Sequence, residues 1–166
     1  MSPALRLCRV APNVLLLALP VSVRSGRASS VGRRATLLSR ILTALGHPVV
    51  RKLVRQLLEA EKGWEVCGEA ADGQQVVEQV SLLHPDLVIL DFQLPLKNGL
   101  VVSRQILETS PSMPILLFSL DTSRALVQQA KTSGVRGIVK TAEASQDLVP
   151  AVNALLRGQT FFPSDL

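Results

Sequence analysis

Tyrosine is absent from this chain of 166 residues, and its aromatic residues are four Phe and one Trp. No pair of rings is available to stack a flavin. Cysteine is nearly absent: Cys8 and Cys67 form no metal-binding pattern. Two isolated thiols are more often unpaired than bridged, and Cys67 reads as a small strand hydrophobe. His47 and His84 lack ligand spacing, and each precedes a proline at a helix end, so both read as structural. There is no glycine-rich phosphate loop and no nucleophile elbow. The apolar run Val14–Leu19 is stopped by Pro20 and is too short to span a bilayer.

Acids are missing from the front of the chain. Residues 1–58 hold ten Lys or Arg and no acid, whereas residues 59–166 hold eight Lys or Arg and all thirteen Asp and Glu. The two parts carry +10 and −5, so the overall +5 describes the front. It is a poor argument that the folded part binds nucleic acid. Residues 1–40 scatter seven arginines among Ser, Ala, Gly and Pro. Three readings compete for them: a secretory signal, an organelle transit peptide, or a mis-assigned start or shifted frame. We favour the last, or a plain disordered basic extension. A short helix on Val14–Leu19 is a weaker option.

From residue 41 onward the chain alternates between two periods. Ile41–Leu45, Trp64–Ala70, Leu87–Asp91, Ile115–Ser119 and Val135–Lys140 are short apolar runs that predict strands. Between and after them lie segments of helical period. The first sets Val49, Val50, Leu53, Val54, Leu57 and Leu58 on one face. The others run from Gln74 to Leu83, Leu100 to Leu107, Thr122 to Thr132 and Ser145 to Leu156. Pro150 should bend the last helix or mark its first turn. Gly63, Asp72-Gly73, Asn98-Gly99 and Gly134 punctuate the boundaries. Five strands alternating with five helices predict an α/β fold: a doubly wound parallel sheet with helices on both faces. There is no internal repeat.

Three predicted strands end in a polar residue: Asp91, Ser119 and Lys140. In a parallel sheet all carboxyl ends share one edge, where such folds place their chemistry. One such residue is most simply a solvated strand end, and an Asp–Lys pair on a rim contributes little. Together they make a coherent set. A carboxylate can attack a phosphoryl group, a hydroxyl can donate to one of its oxygens, and a lysine can pair with another.

The stretch PDLVILDFQLPLKNG, from Pro85 to Gly99, spaces Asp91, Pro95 and Gly99 four residues apart after a proline-led strand. It resembles the phospho-acceptor strand and loop of response-regulator receiver domains. HPVVRKLVRQLLE, WEVCGEAADG, PILLFS and GVRGIVK resemble successive receiver segments, over about His47 to Pro163. ALLRGQTFF resembles the end of the LuxR/NarL-type subfamily. The resemblance implies a flavodoxin-like sheet of order 2-1-3-4-5 over residues 41–158, with 159–166 as a tail. It implies that Asp91 is the phospho-acceptor, Ser119 the switch hydroxyl and Lys140 the phosphate-pairing lysine. The Gln93 main-chain carbonyl and Asp91 would be magnesium ligands. A histidine kinase would be the phosphoryl donor, and the α4–β5–α5 side a homodimer surface. The setting would be cytoplasmic, and the chain a signalling module, not an enzyme.

Three departures qualify that expectation. The acidic pair that receivers carry before the segment matching His47-Pro48 is replaced by Leu45 and Gly46. Magnesium wants several oxygen ligands, so its binding is expected to be weak or lost. The aromatic three residues before the lysine is replaced by Gly137, with Ile138 as its displaced equivalent. No helix-turn-helix output domain and no recognition helix are legible, so no motif argues for DNA binding. A pseudo-receiver that works without phosphorylation is the alternative. Two rival classes, a flavodoxin-like enzyme and an exported or membrane-anchored protein, would show yellow colour or membrane fractionation.

Overall fold

A computed structural model of the protein describes residues 38–163. The basic front segment up to residue 37, including Val14–Leu19, and the last three residues lie outside the described part. The elements alternate as β1 (Ser39–Ala44), α1 (Pro48–Glu59), β2 (Trp64–Ala70), α2 (Gly73–Leu83), β3 (Leu87–Asp91), α3 (Gly99–Thr109), β4 (Ile115–Ser119), α4 (Arg124–Thr132), β5 (Gly137–Lys140) and α5 (Ala144–Leu156). A 3-10 turn, Thr141–Glu143, leads into α5. The five strands form one sheet of order β2-β1-β3-β4-β5, and every pairing is parallel. The expected flavodoxin-like α/β fold is therefore the observed one.

Strand alternation builds two cores. Leu42, Ala44, Val88, Leu90, Ile115, Leu117 and Ile138 face α2, α3 and α4. Ile41, Leu87, Ile89, Leu116, Phe118 and Val139 face α1 and α5. Because both faces are covered, β3 and β4 are continuous apolar runs, with every residue from Leu87 to Leu90 and from Ile115 to Phe118 at most 1% exposed.

Among the described residues, three of the five α-helix starts carry side-chain caps. Asp72 accepts from the backbone N–H groups of Gln74 and Gln75, Asn98 from that of Leu100, and Ser123 from that of Leu126. These caps set α2 and α3 one residue earlier than periodicity alone suggests. The apolar stripe of α1 is narrower than the sequence implies. Val54 and Leu58 are buried, but Val49 is 69% exposed and Leu53 41%. Pro150 lies inside α5, not in its first turn. Pro150 and Gln146, four residues earlier, are both exposed, so water can serve the carbonyl left without a donor. The C-terminal segment is partly tied to the sheet. Phe161 forms a parallel bridge to Gly137 on the free edge of β5, and its carbonyl accepts from the Ile138 N–H at 2.8 Å.

Cys67 is half-buried on the edge strand β2, and burial pushes its thiol above the ordinary value, with Arg40 opposing. A raised thiol carries less thiolate at neutral pH. Alkylation of Cys67 by iodoacetamide at pH 7.5, followed by peptide mass mapping, is expected to run slower than in urea-unfolded protein.

Gly99 opens α3 against the loop after β3. A Cβ there would collide with the Asp91 backbone carbonyl oxygen. Backbone cannot move aside as a flexible side chain can. Gly99→Ala is therefore expected to destabilise by about 1–3 kcal/mol in urea unfolding.

Candidate functional site

The register fixes the composition of the carboxyl edge. Asp91 lies opposite Phe118 on β4, and Ser119, one residue on, lies opposite Lys140 on β5. On the other side, β1 pairs with β3 through Ala44 and Leu90, so Leu45 and Gly46 come directly beside Asp91. Adjacent strands lie about 4.8 Å apart, so the backbones of all these residues share one rim.

The side chains divide that rim in two. Asp91 lines a cavity of about 390 Å³ with Leu45, Gly46, Val50, Phe118, Leu120 and Thr141. Ser119 lines a separate one of about 370 Å³ with Phe92, Asp121 and Ser123. Gln93 lines both and so stands between them. Asp91 Oδ1 accepts from the Gln93 N–H at 3.0 Å, which fixes the carboxylate against its own loop. Ser119 is 3% exposed, and its hydroxyl oxygen accepts from the Asp121 N–H at 3.3 Å. Lys140 Nζ lies 3.9 Å from Glu143 Oε1 on the next turn of chain, and among the described residues no ion pair involves Asp91. Asp91, Ser119 and Lys140 thus share an edge, and among the described residues no ion pair joins Asp91 to Lys140.

The far end of β1 is built from carbon. Leu45 is fully buried among Val54, Leu58 and Phe118. Its carbonyl accepts two hydrogen bonds from the Arg51 guanidinium, at 3.1 and 2.9 Å, which tie the start of α1 to the end of β1. Gly46 leaves a gap. A Cβ there would lie 3.8 Å from Asp91 Oδ2 and 3.6 Å from the Gln93 carbonyl oxygen, with no clash. A side chain at position 46 would therefore start beside both acceptors and Pro95. His47 caps α1 through its backbone without a side-chain hydrogen bond, and His84 ends α2 in a left-handed conformation. Among the described residues neither belongs to a cluster of metal-ligating side chains, although His47 lines the Asp91 cavity.

The family profile described as response regulator receiver domain matches residues 41–153. The chain belongs to the response-regulator receiver family. The match begins six residues before His47, so most of β1 lies inside it. The transcriptional regulatory protein PdtaR of Mycobacterium tuberculosis is 32% identical over 118 residues, covering 71% of this chain and 57% of that protein. Response regulator UvrY of Escherichia coli is 29% identical over 126 residues, covering 76% and 58%. The chain spans a little over half the length of these curated relatives. Among solved structures, a LuxR-family two-component response regulator from Aurantimonas sp. SI85-9A1 superposes with a TM-score of 0.74 at 30% identity, covering 77% of this chain and 91% of that one. The non-phosphorylated receiver domain of RcsB from Escherichia coli gives 0.72 at 25%, covering 76% and 99%.

Receivers typically bind magnesium, and the residues at this edge fit it poorly. Among the described residues no three His, Cys, Asp or Glu side chains cluster as a metal set. Asp91 and the Gln93 carbonyl remain as donors, facing a leucine and a glycine. Magnesium holds a near-octahedral oxygen shell and keeps its waters, which apolar walls do not receive.

The space around Gly137 on β5 is filled. A Cβ on Gly137 would lie 2.8 Å from the Phe161 carbonyl oxygen and 3.0 Å from Leu116 Cδ1. No ring fits there while Phe161 holds the edge. Ile138 is fully buried in the core facing α4. Neither the Phe161 bridge nor the Gly46 gap has a signal in the sequence, because both are contacts between distant segments.

Positions 45 and 46 differ in what they tolerate. Leu45→Asp places a charge among buried carbon and is expected to cost on the order of 3 kcal/mol or more. At Gly46 a Cβ meets only van der Waals contact, so Gly46→Asp adds chiefly repulsion from the Asp91 carboxylate and is expected to cost about 1 kcal/mol. Urea unfolding of both variants checks the contrast.

Proposed function

We propose that this chain is a receiver that has kept the residues of its phospho-acceptor edge and lost most of its phosphoryl chemistry. Asp91 is the acceptor, Ser119 the switch hydroxyl and Lys140 the phosphate-pairing lysine, with a histidine kinase as donor. Phosphoryl transfer needs charge neutralisation at the transferring oxygens. Here the cation is bound weakly or not at all, and Lys140 is turned toward Glu143. The single observation that carries the reading is Gly46. Position 46, whose Cβ would sit 3.6 Å from the Gln93 carbonyl oxygen and 3.8 Å from Asp91 Oδ2, has no side chain.

The alternative is a pseudo-receiver that acts by protein interaction or homodimerisation through the α4–β5–α5 side, independent of phosphate. The displaced aromatic favours it, since Ile138 is locked in the core. Either way the setting is cytoplasmic, and any output activity belongs to a partner or to another part of the regulator.

Acetyl phosphate with magnesium, read by intact mass, tests the reading. The chain is expected to gain little or no phosphoryl mass over an hour. Gly46→Asp is expected to raise the yield, and Asp91→Asn to abolish it in either background. Rapid stoichiometric phosphorylation of the unaltered chain would overturn the proposal.

A further inference from the structure

We infer that the cavity beside Asp91 binds a small organic monocation: an amine or amidine with an apolar body, its charged end on the Asp91 carboxylate. The inference rests on the proposal that a divalent cation no longer occupies this edge.

The cavity measures about 390 Å³. Pockets for small organic ligands run from about 300 to 1,000 Å³, with apolar walls and a few convergent polar groups. Here Leu45, Val50, Phe118 and Leu120 supply carbon, and Asp91 and Gln93 supply oxygen. The Gly46 geometry shows that Asp91 Oδ2 and the Gln93 carbonyl oxygen border one gap, at 3.8 and 3.6 Å from the position a Cβ would take. Both oxygens accept hydrogen bonds, so the gap selects a donor.

The nearby cations are engaged elsewhere. Arg51 is held by the Leu45 carbonyl and Lys140 pairs with Glu143. Thr141 donates its hydroxyl to the Ser119 carbonyl at 3.2 Å. His47 lines the cavity from the exposed start of α1. A carboxylate beside carbon walls, with no ion-pair partner among the described residues, attracts a positive charge. A metal ion would arrive with water that these walls cannot bond. An organic cation brings apolar surface that they can cover.

The test titrates the full ¹⁵N-labelled chain with benzylamine, with benzyl alcohol as the neutral isostere, and separately with magnesium chloride. Benzylamine is expected to give saturable amide shifts centred on Gly46, Val50, Asp91, Gln93 and Leu120. Asp91→Asn and benzyl alcohol are each expected to weaken binding about tenfold or more, as for a hydrogen bond to a charged group. Gly46→Leu, which fills the gap, is expected to abolish the shifts while its spectrum stays that of the folded chain. Absence of saturable shifts, shifts centred elsewhere, or equal affinity in Asp91→Asn would overturn the inference. The magnesium arm reports separately. Saturable magnesium shifts at Gly46 and Asp91 would overturn the underlying proposal, whereas silence there with silence from benzylamine sinks only the amine site.

Discussion

Parallel pairing of β3 between β1 and β4 is the constraint that sets everything else at this edge. It buries Leu87 to Leu90 on both faces and leaves Asp91 at the rim. It also delivers the end of β1 to one side of that carboxylate and the end of β4 to the other. Whatever stands at positions 45 and 46 is therefore in the site, whether it is acidic or not. Here the sheet brings a leucine and a glycine there.

The consequence is chemical as well as structural. Leu45 is part of the core under α1, so the rim beside Asp91 is anchored by packing. Arg51 strengthens that anchoring through the Leu45 carbonyl. Carbon contacts and a charge-assisted hydrogen bond hold this part of the edge. At the outer strand of the sheet, Phe161 closes the open edge of β5, protecting unpaired backbone groups. That closure occupies the space beside Gly137 and leaves no room for a ring.

Much of this is legible in the residues. The five strands and five helices come from the two apolar periods, and their order from the likeness of Pro85–Gly99 to a receiver loop. The boundaries differ by one or two residues where caps intervene, as at Asp72 and Asn98. The α1 stripe is narrower than its period because periodicity marks a face without saying how much of it a neighbour covers. Val49 and Leu53 belong to that face and remain exposed. Pro150 stays inside its helix at an exposed position, with the residue whose carbonyl it orphans, Gln146, exposed as well.

The order of the residues is enough to specify the fold, the three polar strand ends and the leucine and glycine at the close of β1. Each is a matter of which residue stands at which place in a periodic pattern. Three features come from packing alone: Asp91 and Ser119 line different cavities, Lys140 pairs with Glu143, and the gap at Gly46 opens onto two acceptors. Those are distances between side chains on separate elements, set by sheet twist and helix placement, and no local run of residues encodes them.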